Sequence, residues 1–378
     1  MFERPEIGDR ALVVALDIGR DGRGDRLAEI EALVESAGAT VVGDVRGRRP
    51  RPDPAWFAGR GKVDEIAAQR REANADLVIF DHALSGVQQR NLEQALECRV
   101  VDRTTLILDI FAQRARSAEG KLQVELAQLS HMATRLVGGW THLERQKGGI
   151  GLRGPGETQL ETDRRLITQR VKLLRARLSK VARSRATQNR ARRRAAVTTA
   201  ALVGYTNAGK STLFNRLTSS QVYAANQLFA TLDTTLRRVR IPGATNVVLS
   251  DTVGFIRDLP HDLIAAFRAT LAEAADADLL LHVVDASAPN RDEQIEAVDA
   301  LIDEIGAADV PQIRVFNKID VAGLAAGVER DPCGTITSVR VSAATGAGIA
   351  ELRAALAERF PASPTPVSET IDTPARAG

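Results

Sequence analysis

Cysteine is almost absent from this chain of 378 residues, which holds only Cys98 and Cys333. We therefore expect neither a disulfide framework nor a zinc site, and a reducing cytoplasm fits the composition. No apolar run approaches the roughly 20 residues that a membrane-spanning helix needs. The first residues, MFERPEIGDR, lack the apolar core of a signal peptide. We expect a cytoplasmic monomer without a membrane span, and peripheral membrane association stays open.

Acidic residues are missing from one long stretch. Between Arg164 and Arg194 the chain has 13 lysines and arginines and no aspartate or glutamate, although its net charge is only +3. Exposed helices usually mix both signs, so this asymmetry indicates a polyanionic partner, and RNA is the first candidate.

The N-terminal part, residues 1–105, alternates short apolar runs with helix-like segments, which predicts a small, mostly parallel α/β domain. The predicted strands are 11–16, 40–42, 77–80 and 100–101, and the predicted helices are 25–36, 62–73 and 85–97. The glycines of AGRGK, residues 58–62, lack the spacing of a phosphate loop, so we interpret this segment as a turn that opens a helix.

Residues 106–196 carry two series of apolar residues spaced by 4, 3, 4 and 3, which predict an antiparallel helical hairpin. The first series is Leu122, Leu126, Leu129, Ala133 and Leu136, and the second is Ile167, Val171, Leu174, Leu178 and Val181. Between them lies GGIGLRGPGETQLETDRR, residues 148–165. Thr158 and Glu161 have the spacing of a capping box, which predicts that the second helix begins there.

The glycine-rich connection matches G-x-G-x-x-G, the pattern of dinucleotide loops. Such a loop follows a strand, whereas a helix is predicted here, so we interpret the segment as a slender tip that reaches into RNA. Five glycines in nine residues exceed what a permissive turn needs. The residues expected to contact RNA are Gly149, Gly151, Arg153, Gly154, Arg164 and Arg165.

Residues 197–360 read as a second α/β unit, with predicted strands at 197–203, 247–249, 279–284, 313–316 and 336–341. The proline-rich residues 361–378 predict a disordered tail. A phosphate loop, G-x-x-x-x-G-K-[ST], follows the first strand and opens a helix, which is the context that this motif requires. Its residues are Gly204, Tyr205, Thr206, Asn207, Ala208, Gly209, Lys210 and Ser211. Lys210 is expected to reach the β- and γ-phosphates, and the Ser211 hydroxyl to bind Mg²⁺.

Three further elements each follow a predicted strand, in the order expected of a GTP-binding domain. The first comprises Asp251, Thr252, Val253 and Gly254, where the aspartate can hold Mg²⁺ through water and the glycine can donate its N–H to the γ-phosphate. The second comprises Asn317, Lys318, Ile319 and Asp320, whose last carboxylate can accept two hydrogen bonds from guanine. The third comprises Ser342, Ala343 and Ala344, whose N–H groups can meet guanine O6.

Two features of the site stay open from spacing alone. Thr231, Thr234 and Thr235 all compete to complete the Mg²⁺ shell and sense the γ-phosphate. Phe255 stands where many GTPases carry a water-orienting glutamine, which predicts slow intrinsic turnover that a partner or an ion accelerates. Asn207 is either a ligand for K⁺ or an asparagine that tolerates a turn.

Together these segments resemble the HflX family of ribosome-associated GTPases. The resemblance rests on residues 148–165, on GYTNAGKS, LFATLDTT, DTVGFIRDLPHDL and NKID, and on N-terminal stretches such as FAGRGKVDEI and FDHALSGVQQRNLE. It implies that Thr231 is the Mg²⁺ ligand, and that a loop contacts the nucleotide through Phe229, Ala230, Thr231, Leu232 and Asp233. It also implies binding to the large ribosomal subunit and its RNA, with splitting of ribosomes under stress. Many members continue into a small C-terminal domain, whereas a proline-rich segment follows here.

We therefore expect a Mg²⁺-dependent enzyme that binds GTP and GDP and hydrolyses GTP, with Lys210, Thr231, Gly254 and Asn207 in the reaction. The alternative is a nucleotide-gated RNA-binding or ribosome assembly factor whose hydrolysis is incidental. A tRNA-modifying GTPase shares the NAGKS loop but carries a folate-binding domain and a C-terminal cysteine motif that this sequence lacks.

Overall fold

The computed structural model describes residues 8–19, 26–146, 155–194, 197–218, 227–241 and 247–361. The strands are β1 (Arg10–Ile18), β2 (Thr40–Arg49), β3 (Leu77–Phe80), β4 (Arg99–Asp102), β5 (Thr198–Gly204), β6 (Thr235–Val239), β7 (Val247–Asp251), β8 (Leu279–Asp285), β9 (Gln312–Asn317), β10 (Gly327–Arg330) and β11 (Ile336–Arg340). The helices are α1 (Arg26–Ser36), α2 (Arg60–Glu72), α3 (Gly86–Leu96), α4 (Arg103–Arg114), α5 (Ala118–Gln146), α6 (Pro155–Arg194), α7 (Lys210–Thr218), α8 (His261–Ala275), α9 (Arg291–Glu304), α10 (Ile319–Ala322) and α11 (Ile349–Arg359). Among the helices described, none is long and apolar enough to cross a membrane.

The first sheet confirms the predicted parallel α/β unit. Its strands lie in the order β2-β1-β3-β4, and every neighbouring pair is parallel. All four residues of β3 are buried, as expected for a strand covered on both faces. Strand β2 extends well beyond the predicted 40–42, because it pairs with β1 as far as Ile18 and Arg49.

Helices α5 and α6 form the predicted hairpin. Arg170 pairs with Glu125 and Arg185 pairs with Glu119, so the positions rise along one helix as they fall along the other. Leu174 is fully buried in the seam. The predicted start of α6 at the Thr158 capping box is wrong, because the helix already begins at Pro155. Proline suits a first helical position, where its missing N–H has no partner to lose.

The second sheet has seven strands in the order β10-β11-β9-β8-β5-β7-β6. The phosphate loop follows β5, which lies between β7 and β8, at the carboxyl edge where parallel α/β sheets bind ligands. The edge strands β6 and β10 are antiparallel and were not predicted. Each is short and rich in charge, as edge strands often are, so hydrophobicity does not reveal them.

One apolar core joins the parts of the molecule around this edge. It contains α1 and α4, the buried residues of α5 and α6, and the two segments that follow the phosphate loop, 227–234 and 251–260. The rings of Phe229 and Phe267 both pack edge-on against Phe111 of α4, at centroid distances of 4.6 and 5.1 Å. The segments that surround the nucleotide cleft are therefore packed on residues that precede the GTPase unit.

Candidate nucleotide-binding site

A cleft of about 440 Å³ opens at the carboxyl end of β5, where the phosphate loop turns into α7. It is lined by Thr206, Asn207, Gly209, Lys210, Ser211, Thr212, Gln227, Phe229, Ala230, Thr231, Thr252 and Gly254. The loop needs glycine at Gly209, where φ is +91° and a Cβ atom would lie 2.3 Å from Asn317 Nδ2. The local sequence thus allows backbone N–H groups to line the cleft.

Three oxygen-bearing side chains converge at one end of the cleft. Ser211 Oγ lies 2.7 Å from Thr231 Oγ1 and donates to Asp251 Oδ2 at 2.8 Å. Thr231 Oγ1 donates to the same carboxylate oxygen at 3.2 Å. Asp251 Oδ1 is buried without a hydrogen-bond partner. Such a group of oxygens fits a hard divalent cation.

Among the three competing threonines, the structure brings Thr231 to this oxygen cluster. Thr234 Oγ1 is instead buried without a partner, and Thr235 begins β6. Phe229 and Ala230 line the cleft, whereas the two residues after Thr231 turn away from it. Leu232 is buried in the core. The Asp233 carboxylate accepts hydrogen bonds from the backbone N–H groups of Arg116 and Ser117, at 2.9 and 2.8 Å.

The side chain of Lys210 is buried against the backbone of the phosphate loop. Its Nζ donates to the carbonyl oxygens of Gly204 and Tyr205, at 3.0 and 2.7 Å. Burial lowers the pKa of Lys210 to about 8, opposed by the nearby Asp251 carboxylate. Burial raises the pKa of Asp251, opposed by hydrogen bonds from Ser211 and Thr231 and by the Lys210 charge.

Gly254 lies directly on the phosphate loop. A Cβ atom there would stand 3.0 Å from Thr206 Cα and 3.1 Å from Lys210 Nζ, so a side chain would collide with the loop. Phe255 is only 1% exposed and packs in the apolar core. Its N–H donates to the Gly204 carbonyl at 3.1 Å, and its carbonyl accepts the Thr206 N–H at 2.7 Å. Val253 is also buried, and the Thr252 hydroxyl donates to Leu202 O at 2.6 Å.

The elements expected to hold guanine are joined by Asn317. Its Nδ2 donates to the Ala208 carbonyl of the phosphate loop, and its Oδ1 accepts the Ala343 N–H, both at 2.9 Å. Lys318 has a left-handed φ of 62° and binds Asp285 at 2.7 Å. Ile319 is buried, whereas Asp320 is exposed at the start of α10.

The loop that contains Ser342, Ala343 and Ala344 is also held from α7. Arg216 donates to the carbonyl oxygens of Ala343 and Ala344, at 3.1 and 2.5 Å. Sequence reasoning missed Arg216, as well as Thr212 and Gln227 in the cleft lining. No short motif marks these residues, because their roles depend on chain segments that meet only in the fold.

The residues expected to contact RNA are described only in part. Gly149, Gly151, Arg153 and Gly154 lie outside the described residues. Arg164 and Arg165 are exposed on α6, as are most of the cations that follow along this helix. Arg185 is an exception, since it pairs with Glu119 and Glu273 and attaches α6 to the neighbouring helices.

Comparison with known proteins places most of the chain in one family. Residues 24–112 match the family model described as GTP-binding GTPase N-terminal, residues 114–192 match GTP-binding GTPase Middle Region, and residues 199–318 match 50S ribosome-binding GTPase. The chain is 55% identical to GTPase HflX of Escherichia coli over 361 residues, which cover 95% of this chain and 85% of that protein.

A second relative, GTPase HflX of Lacrimispora saccharolytica, is 49% identical over 93% of this chain and 83% of its own length. Among solved structures, a GTP-binding protein from Sulfolobus solfataricus in complex with GDP is 23% identical and covers 92% of this chain and 99% of its own, with a TM-score of 0.47. The high identity to the curated relatives extends across the N-terminal unit, the hairpin and the nucleotide cleft, and the chain belongs to the HflX family of GTPases.

Proposed function

We propose that this GTPase is Mg²⁺-dependent, acts as a monomer, and couples GTP binding and hydrolysis to association with the large ribosomal subunit. One observation carries the proposal. The segment whose Thr231 meets Ser211 and Asp251 also binds the start of α5 through Asp233. Two supports point to the ribosome: the exposed cations of α6, and the family model's description as a 50S ribosome-binding GTPase.

Each group of cleft residues has a separate role in the proposed phosphoryl transfer. Lys210 donates to the β- and γ-phosphates, and Gly254 N–H donates to the γ-phosphate. Ser211 and Thr231 would hold Mg²⁺, with Asp251 acting through water, and the bound ion would supply positive charge against the phosphate oxygens. Asp320 accepts hydrogen bonds from guanine, so an adenine base would leave its carboxylate unpaired.

K⁺ is proposed as a second ion, with Asn207 as its ligand. Asn207 lines the cleft, yet its φ of 60° also suits an asparagine in a tight turn. GTP turnover in KCl should exceed turnover in NaCl at the same ionic strength. Equal turnover rates in the two salts would show that Asn207 is not a K⁺ ligand and serves only the conformation of the turn.

The decisive experiment measures GTP turnover with and without purified large subunits. We expect subunits to accelerate turnover, because the buried Phe255 stands where many GTPases carry a water-orienting glutamine and cannot polarise the attacking water. Small subunits serve as the matched control.

The same buried Phe255 favours a second candidate, a nucleotide-gated RNA-binding or ribosome assembly factor with incidental hydrolysis. Large subunits that bind the protein in a sedimentation assay and leave its turnover unchanged would establish this alternative.

Ribosome splitting is the finer part of the proposal. Intact ribosomes incubated with the protein and a non-hydrolysable GTP analogue should separate into subunits on a sucrose gradient. The Lys210→Ala variant is the control, since it should strongly weaken nucleotide binding without altering α6, and the analogue is used at a concentration below the variant's dissociation constant. Splitting by that variant would disconnect the activity from the nucleotide.

A further inference from the structure

Glu29, on α1 of the N-terminal domain, reaches into the GTPase unit. Its side chain is 13% exposed and has three partners from three segments of the chain. Glu29 accepts hydrogen bonds from the guanidinium of Arg103 and from the hydroxyl of Tyr205. The carboxylate oxygen that accepts from Tyr205 also lies 3.8 Å from Nε of Arg257. Tyr205 belongs to the phosphate loop, and Arg257 follows Gly254 by three residues, so one carboxylate meets both walls of the cleft.

The Tyr205 hydroxyl connects these two walls. It donates to Glu29 and accepts the backbone N–H of Arg257 at 3.0 Å. Burial, reinforced by the Glu29 charge, raises the pKa of Tyr205, so the hydroxyl keeps the proton that it donates. The backbone carbonyl of the same residue accepts from Lys210 Nζ at 2.7 Å. Tyr205 therefore binds the N-terminal domain, the phosphate-binding lysine and the segment after Gly254.

Arg257 is held from several sides, which fixes the backbone on either side of it. Its carbonyl accepts from Arg103 Nη2 at 3.2 Å, and its guanidinium pairs with Glu293 at 2.9 Å. At the other end of the segment, the two hydrogen bonds of Phe255 attach the chain to the phosphate loop. The four residues from Gly254 to Arg257 are thus fastened at both ends.

We propose that Glu29 is a positioning residue for GTP hydrolysis, which acts through Tyr205 and Arg257 to hold the Gly254 N–H at the γ-phosphate. The inference rests on the role assigned to Gly254 above, and on no ribosome contact. Phe255 offers no polar side chain to the water, so on the proposed function hydrolysis relies on Lys210, on backbone donors such as the Gly254 N–H, and on the ion. Such donors stabilise a transition state only while they are held in place before the reaction begins.

The test compares four variants in ribosome-free GTP turnover. Glu29→Ala removes the acceptor shared by Tyr205 and Arg103, and Tyr205→Phe removes the hydroxyl that joins Glu29 to the Arg257 N–H. Each variant should lower kcat about tenfold. KM and the dissociation constant of a fluorescent GTP analogue should stay unchanged, because neither side chain lines the cleft. Glu29→Gln keeps an oxygen that accepts from Tyr205 and should restore part of the rate. Glu35→Gln, the same charge change at an exposed position of α1, is the control and should match the parent.

A double variant separates a shared pathway from two independent effects. Glu29→Ala combined with Tyr205→Phe should be no slower than either single variant, since both break the same connection. A double variant whose loss of kcat is the product of the two single losses would overturn the inference. So would an unchanged or raised kcat in folded Tyr205→Phe. A KM that rises in step with the dissociation constant would also overturn it. Tyr205→Phe deletes a single oxygen atom, so it decides the matter even where Glu29→Ala fails to fold.

Discussion

Replacing Asp233 by alanine should loosen the start of α5, although the two positions lie in different parts of the chain. The Asp233 carboxylate accepts the N–H groups of Arg116 and Ser117 and the Ser117 hydroxyl. That hydroxyl in turn accepts the Gly120 N–H at 2.8 Å. An acidic side chain at this place satisfies N–H groups that the helix cannot pair internally, and it interacts favourably with the positive helix end.

The free energy lost in Asp233→Ala can be estimated from the contacts that the carboxylate makes. A lost helix cap costs about 1 kcal/mol, and a carboxylate near a helix N-terminus adds about 0.3–1 kcal/mol at partly exposed sites. The side chain of Asp233 is partly exposed, which favours the lower half of that range. We expect a local loss of about 1.3–1.6 kcal/mol, equivalent to roughly nine- to fifteenfold in an opening equilibrium.

Native-state hydrogen exchange measures that equilibrium directly. Peptides that span residues 114–122 should exchange about tenfold faster in Asp233→Ala, and the difference should be largest with a GTP analogue, which holds Thr231 in place. Asp233→Asn keeps one acceptor and should fall between the variant and the parent. Exchange at the parental rate with the analogue bound would refute the connection between this segment and α5.

Three further perturbations address the nucleotide and the RNA surface. Lys210→Ala should weaken GTP binding by about a hundredfold, because two charge-assisted hydrogen bonds to phosphate are lost; parental affinity for a fluorescent analogue would contradict the site. Asp320→Asn should shift preference from GTP towards xanthosine triphosphate, since its amide pairs with the xanthine edge, and a competition assay with undiminished GTP selectivity would argue against Asp320 as the guanine ligand. Replacing the exposed Arg165 and Arg183 by glutamine should lower the salt slope of large-subunit binding by about one unit per residue. Arg185→Gln is the matched control, because Arg185 faces the acidic residues of neighbouring helices, and equal slopes in all these variants would remove α6 from the interface.

Local patterns predicted those parts of the fold that local physics determines. The phosphate loop was placed because glycines, lysine and serine must follow a strand and open a helix within eight residues, and the structure has β5 and α7 on either side. The seams of α5 and α6 were visible because burial on one face imposes a helical period. By contrast, Thr231 could not be distinguished from Thr234 by spacing, since the choice depends on how residues 227–234 pack against Phe111.

The least predictable features are contacts between distant segments, and these carry the most functional information. Nothing near Glu29 in the sequence indicates that it meets Tyr205, which lies 176 positions further along the chain. Similarly, Asp233 is separated from Ser117 by 116 positions. Each partner has an ordinary local role as a helix or loop residue, so composition and periodicity leave the pairing undetermined.

Both segments proposed to meet the γ-phosphate are attached to residues outside the GTPase unit, one through Asp233 and the other through Glu29. If the nucleotide changes either segment, the free energy of that change includes the contacts with α1 and α5. Thermodynamic linkage is reciprocal, so a ligand that binds the α5–α6 hairpin more tightly in one nucleotide state must raise the affinity for that nucleotide by the same factor. On the function proposed here, large subunits should therefore tighten the binding of a non-hydrolysable GTP analogue relative to GDP. Asp233→Ala should reduce this subunit-induced preference for the analogue. In the free protein, the same variant should change the affinities for the analogue and for GDP by less.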